Sequence, residues 1–346
     1  MAISAAVYQE IEEGLNNKKL RMNSAYLYDM RSLFLEYFEL PKYLITSFHL
    51  DHGINLPEPN RELEKYFYEN NAAVFVTNTE MMEAYRKVTK KPVHAIGALF
   101  PRYRKMNNIV PKADRKGTVA FPIHSIFGVD IENGWEEYAH SLLALPKEFH
   151  PIKVCVYWLD VARNRHKVFE DLGIEVFTAG YFTNSTFIKR FYDILSNAKY
   201  ATSNEFGSYL PYSVEMGIPF FMYGERAQLN NTNPKLTKFP QGKFIFTEEF
   251  GFKWYDYVRK LHEFSPDTAA TITDEQIAFA NRLLGLDFEV DKDLIRKTVY
   301  QSQLPHLPKF AKDLVHKSIW DVIHLLPESV NQAALKHIKP YYKIQK

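Results

Sequence analysis

The sequence predicts an α/β protein of two Rossmann-like domains facing a central cleft, with a C-terminal helical segment. Three observations predict it. Short β-branched and aromatic runs alternate with amphipathic helical stretches in both halves of the 346-residue chain. A polar, basic, proline-containing stretch breaks that alternation near residue 110. The end of the chain then turns lysine-rich at helical spacing. The expected division is a domain over 1–105, a linker over 106–116, a second domain over 117–300 and a basic helical tail over 301–346.

The elements follow in order. In the first half, residues 43–48, 73–77 and 93–96 read as strands and residues 59–68 and 79–88 as helices. Asn78 or Thr79 can cap the second helix, with Glu80 in its first turn. The polar stretch begins at Tyr103. Strands are then expected at 118–122, 153–158, 175–177, 200–203 and 219–223. Helices are expected at 135–145, 166–172, 186–197 and 210–216. Strand and helix in strict alternation indicate parallel sheets made of right-handed crossovers.

Composition excludes several classes. A hydrophobic fraction of 46% is that of a globular chain, and no apolar run reaches the roughly 18 residues of a membrane span. One cysteine, Cys155, allows neither an internal disulfide nor a cysteine cluster for zinc. The first 14 residues carry Glu10, Glu12 and Glu13 and do not read as a signal peptide, so a cytoplasmic protein is expected. A net charge of +2, from 43 basic and 41 acidic residues, argues against nucleic acid as a partner. The tail, with Lys309, Lys312, Lys317, Lys336 and Lys339 among apolar residues, fits either peripheral contact with the inner face of a membrane or a helix packed back on the core.

Three segments carry residues suited to chemistry. Residues 200–219 read as strand, polar turn and helix, closing on Gly217-Ile218-Pro219. Ser203, Asn204, Gly207 and Ser208 are small or hydrogen-bonding residues that let a phosphate approach the turn, and Tyr212 and Glu215 follow on the helix. After the strand at 118–122, His124 and Ser125 occupy the first turn of the second domain, where an imidazole can meet an anion. After the first strand come His49, Asp51 and His52, just before Gly53. An Asp–His pair there could act as a base toward a hydroxyl, with either His52 or Asp51 as the base. His49-x-x-His52 lacks the glutamate of a metal-binding helix, and Asp291-x-Asp293 reads as a solvated helix start, so no metal is expected. The absence of G-x-G-x-x-G, P-loop and G-x-S-x-G patterns makes a dehydrogenase, a P-loop NTPase and an α/β-hydrolase poor fits.

Residues 200–219 resemble the donor-binding segment of GT-B glycosyltransferases, where a Ser/Gly-rich turn precedes a helix with an acidic residue and a closing Gly-x-Pro. The resemblance implies that Ser203, Gly207 and Ser208 lie at the donor phosphates and Glu215 nearer the ribose or sugar. His124-Ser125 is similar to a pair in enzymes of capsule and lipopolysaccharide synthesis. The His-Gly turn after the first strand is similar to one in surface-polysaccharide transferases whose His serves as base. Residues 96–101 resemble the turn that precedes the linker in related transferases, with the proline displaced. The implied function is transfer of a sugar from a nucleotide-sugar donor to a glycan or lipid-linked acceptor, without metal or other cofactor. A nucleotide-sugar epimerase and a non-catalytic glycan-binding homologue are the rival readings.

Overall fold

The computed structural model describes residues 3–16, 24–54, 68–132, 134–236, 239–247 and 254–303. The protein is α/β, with two parallel sheets. The first half supplies β1 (Phe48–Leu50), β2 (Ala73–Val76) and β3 (Val93–Ala95), which pair in that order. Phe48 lies opposite Ala73 and Val74 opposite Val93, both pairings parallel. The second half supplies β4 (Thr118–Ala120), β5 (Val129–Ile131), β6 (Ile152–Cys155), β7 (Glu175–Phe177), β8 (Tyr200–Ser203), β9 (Phe220–Met222), β10 (Leu229–Asn231) and β11 (Gly242–Phe244). Five of these form a parallel sheet in the order β7-β6-β4-β8-β9, and β5, β10 and β11 form a small antiparallel sheet. Three of the inner strands, β2, β4 and β8, are buried along their whole length. That is why they read as unbroken apolar runs rather than alternating ones.

The described helices are α1 (Ala5–Asn16), α2 (Met30–Tyr37), α3 (Thr79–Val88), α4 (Leu99–Met106), α5 (Trp135–Leu143), α6 (Trp158–Ala162), α7 (Lys167–Asp171), α8 (Phe187–Ser196), α9 (Tyr209–Glu215), α10 (Tyr255–Leu261), α11 (Asp274–Leu284) and α12 (Lys292–Gln303). Asn78 caps α3 by accepting from the Met81 N–H, which satisfies a donor that the first turn leaves open. Thr273 and Gln276 form a reciprocal capping box on α11, which ends at Gly285 with φ of 59°.

Both ends of the described chain pack across the middle. Ile11 of α1 joins the apolar cluster of Val154, Val176 and Trp158 on the five-stranded sheet, and Glu10 pairs with Arg190 at 2.8 Å. α11 and α12 return to the three-stranded sheet. The Ala98 N–H donates to the Leu284 carbonyl, and Ser47 donates to Ser302. One apolar cluster, including Phe34, Phe75, Phe121, Phe191 and Leu284, runs through both halves.

The first expected strand is displaced. Only Phe48–Leu50 pairs as a strand. The backbone of Ile45 is taken up instead by the Gln303 side chain, which accepts from its N–H and donates to its carbonyl. Tyr103 to Met106 finish α4 instead of opening a linker. The stretch that follows is tied down where Lys112 and Lys116 donate to the Ser196 and Asn197 carbonyls at the end of α8. The expected helix at 59–68 lies almost wholly outside the described residues, and the basic tail is outside them beyond Gln303.

Arg104 of α4 grips Glu215 of α9 through two hydrogen bonds, 2.9 and 2.7 Å, and Lys105 adds a contact at 3.3 Å. Only 5% of the Glu215 side chain is exposed, so removing it strands a largely buried guanidinium. Glu215→Ala should cost about 3 kcal/mol in urea unfolding. Adding Arg104→Ala should cost clearly less than the two single losses together, and strict additivity would show that the pair does not couple.

Candidate functional site

The order β7-β6-β4-β8-β9 determines where a ligand can enter. From β4 the chain builds outward to β6 and β7, then crosses back to β8 and β9 on the other side. The loops after β4 and β8 therefore part at the carboxyl edge of the sheet, which is where open parallel sheets bind ligands. A cavity of about 270 Å³ lies there. Pro122, Ile123 and His124 follow β4, Val156 and Tyr157 follow β6, Thr178 and Ala179 follow β7, and Phe206, Gly207 and Ser208 follow β8. Its other walls include Tyr28, Phe100 and His52 from the first half of the chain. No carboxylate, lysine or arginine is among the described lining residues, which include two imidazoles.

Five of the ten residues expected at the site line this cavity: His52, His124, Gly207, Ser208 and Tyr212. The Ile54 N–H, just beyond His52, donates to the Ser208 hydroxyl at 3.1 Å and ties the loop after β1 to the turn after β8. His124 donates from Nδ1 to the Ser125 carbonyl, and its ring lies against Tyr157 with centroids 4.1 Å apart. Tyr212 stacks on Phe100 at 4.8 Å with the rings almost parallel.

The other five lie behind the walls. Ser125 is fully buried, donating from its N–H to Asp160 at 3.0 Å and from its hydroxyl to Asp130 at 2.8 Å. Ser203 is buried too, accepting from the Glu205 N–H and lying 2.9 Å from the Tyr209 hydroxyl. Asn204 accepts from the Ile123 N–H and holds the loop after β4. Asp51 meets His49, not His52, at 3.1 Å. Glu215 is held in the Arg104 pair and does not line the cavity. Arg226 pairs with Asp256 and donates to the Phe246 carbonyl.

Sequence reading missed Tyr28, Cys155, Tyr157, Trp158, Thr178 and Tyr209. Cys155 ends β6, and Tyr157, Trp158 and Thr178 closely follow strands, so the strand order would have drawn attention to them. Tyr28 sits far from any strand and carried no signal. Burial pushes the Tyr28 and Tyr157 phenols up, so both stay protonated hydrogen-bonding groups. Burial also pushes the Cys155 thiol up to about 12, which keeps it an unreactive wall of the cavity. Asp160 is raised chiefly by burial, with hydrogen bonding to Ser125 and the nearby His124 opposing it. Among the described residues there is no cluster of three or more His, Cys, Asp or Glu able to hold a metal ion. No helix there is long and apolar enough to cross a membrane.

No protein-family model and no curated protein matches this sequence. Among solved structures, the crystal structure of a GtfA/B complex aligns with a TM-score of 0.28 and 15% identity, covering 73% of this chain and 48% of that chain. This chain thus spans about half the length of that one. A likeness of that size carries no assignment of fold or function. The parallel sheets and the cavity stand on their own geometry.

Two expectations follow from the walls. A Cβ on Gly207 would come within 2.5 Å of the Tyr209 ring. That ring cannot swing away freely, because it stacks on Phe121 at 5.2 Å and its hydroxyl donates to the Glu205 carbonyl. Gly207→Ala should weaken ligand binding in this cavity roughly tenfold by displacing the wall, at a stability cost near 1–3 kcal/mol. Unchanged affinity by calorimetry would show that the turn tolerates the methyl.

Glu205 supplies the second expectation. It accepts from the Ala227 N–H with one oxygen and has no partner on the other, and burial raises its carboxyl to about 8 against Arg259 and Arg226. An unfolded glutamate titrates near pH ~4.3. The folded form therefore holds the proton more tightly, and its contribution to stability is complete below that value and lost as pH rises toward 8. Glu205→Gln should remove this dependence. Chemical unfolding at pH 5 and pH 9 should show the variant gaining on the parent at the higher pH, and a constant difference would return Glu205 to an ordinary acid.

Proposed function

We propose that the protein is a glycosyltransferase of the GT-B type, moving a sugar from a nucleotide-sugar donor to a glycan or lipid-linked acceptor in the assembly of a surface polysaccharide, capsule or lipopolysaccharide. The observation that carries the reading is convergence. His52, on the loop after β1 of the first sheet, lines the same cavity as His124, Gly207, Ser208 and Tyr212 after strands of the second. A transferase needs that arrangement, with a base from one side meeting an activated donor from the other. The sequence resemblance of residues 200–219 supplies the donor class, and the walls supply the chemistry.

In this reading the three-stranded sheet with residues up to about 105 is the acceptor side. The five-stranded sheet holds the donor. His52 is favoured over Asp51 as the base, because His52 lines the cavity while Asp51 is held by His49. His52 takes the proton of the acceptor hydroxyl as its oxygen bonds to the anomeric carbon. The bond from that carbon to the leaving phosphate breaks in line. Charge developing on the phosphate meets the His124 imidazole, the Ser208 hydroxyl and the phenols of Tyr28 and Tyr157, fixed donors in a largely apolar surround.

The purified chain should release or transfer sugar from at least one of a panel of UDP-, GDP-, CMP- and dTDP-sugars. Binding of a glycan with no turnover of any donor would leave a non-catalytic homologue. His52→Ala should lower kcat about 10²- to 10⁴-fold with donor affinity little changed. His124→Ala should act on donor affinity as well. Parental turnover by the His52 variant would sink the base assignment.

A further inference from the structure

A second cavity of about 470 Å³ adjoins the first. The two share Tyr28, His52, Ile126, Tyr157 and Trp158, so His52 stands at their junction. The described wall continues with Leu15, Leu27, Phe127, Leu159, Phe182 and Tyr181, whose hydroxyl is already donated to the Gly14 carbonyl at 3.0 Å. No carboxylate, amide side chain, lysine or arginine is among the described lining residues. Against these described walls a saccharide finds few partners for its hydroxyls, at a cost for each left unpaired. A hydrocarbon chain has no such demand.

The mouth points the same way. Phe127 is 61% exposed and Leu15 42%, large apolar side chains at the rim of an apolar cavity. A volume of this size is within the range of small-molecule sites, about 300–1,000 Å³.

We propose that the second cavity binds the apolar chain of a lipid, leaving the lipid's polar end at His52. Of the two acceptor classes, this selects the lipid-linked one. Calling the lipid an acceptor rests on the transferase reading, but chain binding does not.

The two separate in one set of measurements. Glucose, hexyl β-glucoside and octyl β-glucoside, all below their micelle concentrations, are titrated calorimetrically into the full chain with no nucleotide sugar present. Each methylene buried from water raises affinity roughly fourfold, so octyl, two methylenes longer, should bind about fifteenfold more tightly than hexyl, and glucose far more weakly than either. Phe127→Asp and Leu15→Asp change exposed positions and should unfold like the parent, yet lose most of the gain between hexyl and octyl. Equal affinity for hexyl and octyl, glucose binding as well as octyl, or parental octyl binding in both variants would overturn the proposal. Chain-length-dependent binding without turnover of any donor sugar would keep the lipid site and reject the transferase. Transfer to soluble saccharides with no chain-length dependence would do the reverse.

Discussion

The contact of α4 with α9 joins the two sheets at the wall of the cavity. α4 leaves the last strand of the first sheet, and α9 follows the turn after β8. Phe100 and Arg104 are four residues apart on α4, and Tyr212 and Glu215 three apart on α9, so each pair presents one face. The faces meet twice, in the stack of Phe100 on Tyr212 at 4.8 Å and in the two hydrogen bonds of Arg104 to Glu215. The stack gains from burial and ring geometry together. The ion pair adds direction, because a planar guanidinium meets a carboxylate in one orientation. Phe100 and Tyr212 are also walls of the cavity, so the contact that joins the halves also shapes the site.

Around the cavity, polar groups are spent on holding loops. Ser125 on Asp160, Ser203 on Tyr209, and Asn204 on the Ile123 backbone fix the turns after β4 and β8 from behind. Each bond satisfies a group that would otherwise be costly to bury. What remains facing inward is aromatic and aliphatic, with two imidazoles and a few hydroxyls. Those few polar groups act in a largely apolar surround, where each is worth more than in water.

Much of the parallel architecture was legible because buried strands and their following helices leave local patterns. Residues 175–177 and 200–203 match β7 and β8 at both ends, and Asn78 caps its helix as its position suggested. The first strand was misplaced because a distant residue, Gln303, takes the Ile45 backbone out of the sheet's reach. Nothing near residue 45 reports a partner so far along the chain. The site was half legible for a related reason. Loops after strands can be found from periodicity, so His52, His124, Gly207 and Ser208 could be picked out. Which polar residue of a loop faces inward and which anchors it depends on a turn of the backbone that residue type does not reveal. Ser125 and Ser208 look alike in sequence, yet one is buried against two aspartates and the other lines the cavity.

By itself, then, the sequence determined the α/β class and most strand positions, because those rest on short-range patterns of burial and turn chemistry. Tertiary structure alone decided that α1 packs on the second sheet and α12 on the first, that Glu215 pairs with Arg104 outside the cavity lining, and that His52 instead of Asp51 lines the cavity. Each of these depends on groups brought together from distant parts of the chain, through packing and pairing that no local window contains.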